Sequence, residues 1–298
     1  MRARPRLVSI TGSNRTPRGK IINANAAKEK PRIAASSYLN SAPLIWSFTR
    51  GSLRDAVIYI DAVPSRCADL LATGDADFGL VPVIEYQRIP GVRLVPQVCV
   101  GSHHDVKSVL LVSRLNNLKK IRSVALDDSS RTSVTLTKVI FQEFLSIEPT
   151  WATSSPDLKT MLRENDAALM IGDPAMTFAR EGLNVWDLVS LWNDFTGTGF
   201  VFAMWMEKAY ARNELVSLDF ARAREEGIHS IDKIVDDYQD KLGLSGEELR
   251  DYLTNSITFD LNHDLQRGME LYFELAAQHG FIDRRRPLQF LGMQDSNG

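Results

Sequence analysis

The sequence predicts an α/β protein with two lobes, a ligand cleft between them and a helical C-terminal part. Short strand patterns alternate with helical patterns between residues 32 and 206, an order typical of a largely parallel sheet covered by helices. Two such units follow one another, and after a last apolar strand the chain is helical. A chain that leaves one lobe near Leu110 and returns near Phe200 crosses twice between lobes. Ligands in such proteins bind at the carboxyl ends of strands and between domains.

The first unit contains five predicted strands and two predicted helices. Pro43 in a first turn and Gly51 after a last turn delimit a helix over Ser41–Arg50. Ser65 is the expected N-cap of a second helix, which ends near Leu71. The strands are predicted at Arg32–Ala35, Val57–Ala62, Phe78–Pro82, Val92–Val100 and Ser108–Ser113.

The second unit repeats this alternation. A strand at Ser123–Leu126 precedes a helix at Ser130–Leu145, whose apolar residues recur at helical spacing. Ala167–Ile171 is apolar throughout, as expected for a strand buried on both faces. Val185–Leu191 then leads to the glycine-containing turn Thr196–Gly199.

The remaining sequence predicts one strand followed by helices. Phe200–Met206 is rich in residues that favour strands. Ser245 and Glu248 have the spacing of a capping box at the start of the third helix of this part. The helices are predicted at Glu214–Glu225, Ser230–Lys241, Glu247–Asn255 and Leu265–His279.

Charge and composition divide the chain further. Residues 1–30 contain eight Lys and Arg against Glu29 and are predicted to be a disordered basic extension. The first lobe is predicted to comprise residues 31–110 plus 200–290, and the second residues 111–199. The total charge is −2, so residues 31–298 carry −9 (−2 minus +7), which argues against nucleic acid as a partner.

Cysteine spacing and the lengths of apolar runs lead to predictions about metals, membranes and location. Cys67 and Cys99 lie far apart and match no metal or redox spacing. No run of 18 apolar residues is long enough to cross a membrane. The apolar stretch Leu7–Ile10 is too short for a signal peptide, so a cytoplasmic location is expected. The oligomeric state is not readable from the sequence.

Several short motifs follow one another in a distinctive order. They are Tyr38–Leu44, Pro64-Ser65, Gly74–Asp77, Gly79–Pro82, Lys107–Val109, Ala125–Asp127, Ser130–Ser133, Ile171–Asp173, Thr196-Gly197 and Phe200–Trp205. In this order the set resembles the chorismate dehydratase family of the futalosine route to menaquinone, over about residues 31–290. The resemblance implies a type-II periplasmic-binding-protein fold. It also implies an enzyme that removes water from chorismate to give 3-[(1-carboxyvinyl)oxy]benzoate, without a metal or organic cofactor.

Asn40 is the residue that the resemblance implies to be catalytic. It follows the first strand and precedes the first helix. On the sequence alone, a helix cap is at least as consistent with this position. By resemblance, its amide donates to the leaving hydroxyl or to charge developing on the ring. The adjacent Ser41 is expected to contact the substrate.

A polar run at the start of a predicted helix is expected to bind an anion. Free N–H groups and the positive end of the helix dipole favour anions there. The dipole contributes only about 0.3–1 kcal/mol, so hydroxyl groups and a guanidinium are expected to supply the rest. A simple N-cap needs one residue, and this run has more. The predicted ligands of a substrate carboxylate are Ser130, Arg131, Thr132 and Ser133.

Five further residues are candidates for the cleft. The resemblance implies that Ser108 binds substrate, although a serine at a strand end also fits solvent. Ser65 is a candidate ligand whose capping role is favoured. Gly172 and Gly197 would let the backbone approach the ligand closely. Asp173 ends a buried strand, where a structural role is favoured over a catalytic one.

No histidine stands in these motifs, so the proton acceptor is open. The triplet His103-His104-Asp105 is expected to be a solvated loop. We hypothesise that the enolpyruvyl carboxylate of the substrate removes the ring proton while Asn40 polarises the departing hydroxyl.

Four alternative functions fit the same pattern. They are a non-enzymatic protein that binds small carboxylates, an enzyme like 1,4-dihydroxy-6-naphthoate synthase, the effector domain of a regulator, and a paralogue with a different carboxylate substrate. The second would be expected to place a histidine base at the cleft. The last follows from Thr198-Gly199, where the family has an apolar residue and a proline. This departure is expected to affect the cleft.

Overall fold

The computed structural model describes residues 29–208 and 218–292. Residues 1–28 of the predicted basic extension lie outside the described residues, as does the start of the helix predicted over Glu214–Glu225. In the described ranges no helix is both long and apolar enough to cross a membrane.

Two five-stranded sheets form the framework of the described residues. The first contains β1 Arg32–Ala35, β2 Ile58–Asp61, β3 Phe78–Pro82, β4 Val92–Ser102 and the late strand β10 Phe200–Lys208, in the order β2-β1-β3-β10-β4. The second contains β5 Val109–Ser113, β6 Ser123–Asp127, β7 Thr150–Ser154, β8 Ala167–Ile171 and β9 Asn184–Asp187, in the order β7-β6-β8-β5-β9.

Each sheet is mixed rather than simply parallel. β1 pairs in parallel with β2 and β3, and β6 pairs in parallel with β7 and β8. β10 runs antiparallel to β3 and β4, and β5 runs antiparallel to β8 and β9. The antiparallel strands are the first ones after each passage between sheets. The predicted parallel arrangement therefore holds for the alternating strands and fails for these two.

Helices cover both sheets and form the C-terminal part. They are α1 Ala42–Thr49, α2 Pro64–Thr73, α3 Glu85–Arg88, α4 Arg131–Val139, α5 Leu158–Glu164, α6 Asp173–Thr177, α7 Leu188–Thr196, α8 Phe220–His229, α9 Ile231–Leu242, α10 Gly246–Asp251 and α11 His263–Gln278. Short 3-10 turns lie at Leu39–Ser41, Arg54–Ala56 and Leu118–Lys120, and π-type turns extend α4 and α10 over Ile140–Phe144 and Tyr252–Ser256.

Local signals explain most of the helix boundaries. The capping box of Ser245 and Glu248 is present at the start of α10 and is confirmed. Asp187 ends β9 and caps α7 by accepting from two backbone N–H groups, which divides the segment predicted over Val185–Leu191. Ser65 is not an N-cap, and that prediction was wrong. Val63 has this position because Pro64, which lacks an N–H donor, begins α2.

A shared hydrophobic core joins the two sheets. The rings of Trp192, Phe200 and Tyr272 lie 5.0–6.3 Å apart, centre to centre. They connect α7 of the second unit to β10 and α11. This packing holds the strand ends of both sheets next to each other, where a cavity forms.

Candidate functional site

A cavity of about 50 Å³ lies between the two sheets. Residues at or just after the carboxyl ends of β1, β3, β6 and β8 line it, as expected for α/β proteins. The complete lining is Ser36, Tyr38, Asn40, Ser41, Pro64, Leu80, Pro82, Val100, Val109, Ser130, Ser133, Ile171, Gly172, Phe202 and Ala203.

Asn40 lies in the 3-10 turn between β1 and α1. Its amide oxygen accepts a hydrogen bond from the Ser41 hydroxyl at 3.1 Å. Asn40 lines the cavity, and its amide nitrogen has no hydrogen-bond partner among the described residues. Asn40 caps no helix. The N-cap of the 3-10 turn is Tyr38 and that of α1 is Ser41, and neither of these two side chains makes a capping hydrogen bond. The amide is thus held at one end, and its donor group is available.

The first turn of α4 contributes two buried hydroxyl groups. Ser130 is the N-cap, and its side chain accepts from the backbone N–H of Ser133 at 3.5 Å. The two hydroxyl oxygens lie 3.0 Å apart. Both residues line the cavity, so the N-terminal end of a nine-residue helix faces it. This end of the cavity favours an anion.

Gly172 provides close contact across the cleft. Its φ of +64° suits glycine, and a Cβ atom there would lie 3.1 Å from the ring of Tyr38. The backbone N–H of Leu39 donates to the carboxylate of Asp173 at 2.9 Å. Burial raises the pKa of Asp173 to about 6, against the opposing effects of this N–H and of Lys241. Asp173 thus joins the two sheets and does not line the cavity.

Three predicted ligands point away from the cavity. Arg131 forms ion pairs with Asp69 at 2.7 Å and Glu85 at 3.1 Å. The hydroxyl of Thr132 accepts from the backbone N–H of Ile84 at 3.2 Å. Ser65 lines a different cavity together with Arg131. The structure therefore separates these residues from Ser130 and Ser133, although Arg131 and Thr132 lie between those two serines in sequence.

Ser108 and Gly197 also lie outside the cavity lining. The Ser108 side chain is fully buried and accepts a hydrogen bond from the Tyr252 hydroxyl at 2.7 Å. Its carbonyl accepts from the N–H of Gly172 at 2.8 Å, which places it behind the cleft wall. Gly197 has a φ of +67° and ends α7. Its conformation is a helix-terminating one.

The turn at Thr198-Gly199 packs against the C-terminal part instead of the cavity. The indole N–H of Trp192 donates to the Thr198 hydroxyl at 3.0 Å, and Gly199 donates to Asp264 at 2.9 Å. A Cβ atom on Gly268 would lie 2.0 Å from the carbonyl oxygen of Gly199. The expectation that this turn affects the cleft directly does not match its position.

Comparisons with known proteins place the chain in a family. The family described as "Menaquinone biosynthesis" matches residues 31–278. The chain belongs to this family. A chorismate dehydratase from Thermus thermophilus is 27% identical over 259 residues, which cover 80% of this chain and 92% of that protein.

Solved structures agree on the fold of this member of the menaquinone biosynthesis family. Protein AF1704 from Archaeoglobus fulgidus aligns with a TM-score of 0.69 and 16% identity, over 85% of this chain and 98% of that one. The CA3427 gene product of Candida albicans, described as having the generic periplasmic binding protein fold, aligns with a TM-score of 0.60 and 10% identity, over 90% and 99%. The predicted two-lobed, periplasmic-binding-protein-like fold is confirmed.

Sequence reasoning did not select several lining residues of this family member. Ser36 directly follows β1 and Tyr38 comes two residues later, and the rule that ligands bind at strand carboxyl ends would have indicated them. Phe202 and Ala203 lie inside β10, and no local pattern distinguishes them from other strand residues. Their position depends on how β10 inserts between β3 and β4.

The cavity of this family member offers hydrogen bonds without ionised groups. Its described lining contains an amide, four serine hydroxyl groups, one phenol and apolar side chains, but no His, Asp, Glu, Lys or Arg. Burial raises the pKa of Tyr38, so its phenol stays protonated at neutral pH. His103 pairs with Asp264 at 3.2 Å and does not line the cavity, and His104 is exposed. Within the described ranges, no three His, Cys, Asp or Glu side chains are placed to hold a metal ion.

Proposed function

We propose that this chain is a chorismate dehydratase, a hydro-lyase that converts chorismate to 3-[(1-carboxyvinyl)oxy]benzoate and water. The supporting observation is the cavity between the sheets, where an amide donor, buried hydroxyl groups and a helix N-terminus meet without an ionised side chain. Chorismate is a dianion, and such a wall binds anions through neutral donors. The name of the Thermus thermophilus relative supports the same reaction.

In this proposal the two polar ends of the cavity have different roles. Ser130, Ser133 and the first turn of α4 bind one substrate carboxylate. Asn40 donates its free amide N–H to the departing ring hydroxyl, as an oxyanion-hole side chain donates to developing charge. Gly172 lets backbone lie against the ligand because it has no side chain.

The proposal assigns proton removal to the substrate. Because no carboxylate or imidazole lines the described cavity, the enolpyruvyl carboxylate of chorismate removes the ring proton. The ring C–O bond breaks, the departing hydroxide takes up this proton from the enolpyruvyl carboxylic acid and leaves as water, and the ring becomes aromatic. The gain in aromaticity drives the step, so accurate positioning and a modest base suffice.

The size of the cavity implies a movement of the lobes. Ligand pockets usually measure about 300–1,000 Å³. The cavity here measures about 50 Å³, so chorismate enters only if the cleft widens and then closes around it. The Asp173–Leu39 hydrogen bond is one contact between the sheets that such opening would break.

The absence of a histidine from the described lining separates this function from one alternative. An enzyme like 1,4-dihydroxy-6-naphthoate synthase was expected to have a histidine base at the cleft. A non-enzymatic carboxylate-binding protein would use the same donors but would release chorismate unchanged. The lobe boundaries at residues 110 and 200 and the cytoplasmic location remain predictions.

The test is to incubate the purified protein with chorismate and to identify products by chromatography and mass. We expect a product lighter by one water, and a loss in kcat of about 10²–10³-fold in Asn40→Ala. Asn116→Ala, an exposed asparagine on the second unit, is the matched control and should retain full activity. Binding of chorismate without turnover in the wild type would overturn the dehydratase proposal and support a binding protein.

A further inference from the structure

A second cavity lies on the opposite side of α4 from the cleft. It measures about 500 Å³, which is within the usual range for small-molecule sites. Arg131, Thr135 and Lys138 from α4 line it together with Arg88, which ends α3, and Phe281. Three cationic side chains therefore face one space. The proposed dehydratase reaction uses none of them.

Two of these cations are held in place by carboxylates. Arg88 pairs with Glu85 at 3.0 Å and also donates to the Thr135 hydroxyl at 3.3 Å. Arg131 pairs with Glu85 and Asp69. The Thr135 hydroxyl accepts from Arg88 and is also hydrogen-bonded to the buried Tyr272 side chain, so it helps to hold Arg88 in position. These contacts fix the direction of the donors before any ligand binds.

Lys138 differs from the two arginines because no described carboxylate forms an ion pair with it. Its ammonium group lies 5.7 Å from the ring centre of Trp151 and 5.9 Å from that of Phe281. Burial, and secondarily the charge of Arg88, lower its pKa. An anion beside it would reverse this cost, since opposite charge stabilises the ammonium form. Asp128, the one acidic residue that lines this described cavity, forms no ion pair with it.

We infer that this cavity binds a small doubly charged oxyanion, a phosphate or a dicarboxylate, with its oxygens between Lys138 and Arg88. The ring of Phe281, which also lines this cavity, contacts any apolar part of the ligand. Charge-assisted hydrogen bonds from two cations are among the stronger polar contacts in proteins. The site is independent of the proposed reaction.

Binding here would involve both units of the fold. Arg88 and Ser65 come from the part of the chain that forms the first sheet, and Arg131 and Lys138 come from the second. A ligand that contacts both favours the arrangement of lobes in which they are this close. The first turn of α4 lines the cleft, so the two sites share one rigid element.

The test is isothermal titration of the purified protein with two probes at constant ionic strength. The probes are inorganic phosphate and benzene-1,3-dicarboxylate, in a buffer that contains neither. Lys138→Gln removes the cation that has no carboxylate partner. Lys120→Gln, an exposed lysine on the same unit, is the matched control. Circular dichroism and thermal unfolding verify that both variants are folded.

We expect saturable binding of at least one probe to the wild type and to Lys120→Gln. Lys138→Gln should weaken it at least about tenfold, the effect of one lost charge-assisted hydrogen bond. The probe that binds more tightly identifies the ligand as a phosphate or a dicarboxylate. Failure of both probes to saturate the wild type overturns the inference, and so does an unchanged dissociation constant in Lys138→Gln. Neither result depends on turnover of chorismate.

Discussion

The two faces of α4 show opposite solutions to anion recognition. Toward the cleft, Ser130 and Ser133 offer neutral donors at a helix N-terminus. Toward the other cavity, Arg131, Thr135 and Lys138 offer two charges and one hydroxyl. The first set recurs at spacing three, and the second at spacings of four and three, so each lies on one side of a helix with 3.6 residues per turn.

This difference indicates what each cavity requires. Only interactions that are stronger in the transition state than in the ground state increase the rate. A dehydratase cleft therefore needs to bind the substrate dianion without stabilising its ground state too strongly. Neutral donors are suited to this task. Cations next to an apolar wall are suited to retention of an anion. We therefore expect substitutions on the two faces to affect different measured quantities.

The largest effect on stability in this comparison is expected at the cleft wall. Gly172→Ala places a Cβ atom 3.1 Å from the Tyr38 ring and forces alanine into a φ of +64°. We expect the free energy of unfolding to fall by about 2–3 kcal/mol in urea titrations. Gly182→Ala has a φ of +70° but no atom within 4 Å, so only the backbone cost of about 1 kcal/mol should appear. Equal losses in the two variants would contradict the contact with Tyr38.

Substitution on the charged face should reduce stability more than turnover. Arg131→Met leaves Glu85, whose side chain is only 4% exposed, with Arg88 as its remaining ion-pair partner among the described residues. We expect a loss of about 1–2 kcal/mol in the free energy of unfolding and less than about tenfold in kcat/KM for chorismate. Arg163→Met, which removes an exposed pair with Glu164, should change neither. An increase in KM beyond tenfold would show instead that Arg131 binds the substrate.

The buried hydrogen bond behind the cleft should give a measurable coupling energy. In a double-mutant cycle, Ser108→Ala and Tyr252→Phe remove the same bond and should couple by about 1 kcal/mol. Tyr238→Phe removes a bond to the Ser37 carbonyl, and its effect should add to that of Ser108→Ala. The two variants of the Ser108–Tyr252 pair should have similar turnover of chorismate. A much larger loss in Ser108→Ala would support direct substrate binding by Ser108.

A further expected effect is a pH dependence of stability, which changes no contact at neutral pH. The pKa of Asp173 is raised from 3.8 to about 6 in the folded protein, so the folded state binds its proton more tightly than the unfolded state does. Its contribution to the free energy of unfolding therefore declines as pH rises from about 4 to about 6. Asp173→Asn should remove this slope, so its Tm relative to wild type should increase over that interval. The exposed Asp194→Asn is the control and should run parallel to wild type.

The same variant also tests the assignment of proton removal to the substrate. Because Asp173 is outside the cavity lining, Asp173→Asn should retain turnover of chorismate. Complete loss of product in this variant, with the fold intact by circular dichroism, would identify Asp173 as the proton acceptor. Asn40→Ala measured in parallel gives the reference for loss of a cleft residue.

Much of the fold was predictable because its signals are local. The strands Arg32–Ala35, Phe78–Pro82 and Ala167–Ile171 have the predicted bounds, since each is an apolar run between turn residues. β7 and α5 were not predicted. β7 is largely polar and at the edge of its sheet, so its sequence has no continuous apolar run. Pairing with β6 places it there.

The residues of the candidate site also divide into those that the sequence predicted and those whose contacts depend on tertiary packing. The sequence by itself, through its motifs and the family they resemble, predicted Asn40, Ser41, Ser130, Ser133 and Gly172 as cleft residues. All five line the cavity, where residues at strand carboxyl ends converge. Only the tertiary structure decided that Arg131 would pair with Glu85, that Ser108 would bond to Tyr252, and that α4 would have a charged cavity behind it. The physical reason is that the direction in which a helix face points depends on packing. Sequence spacing sets which residues share a helix face, but the packing of α4 between two units decides what each face contacts.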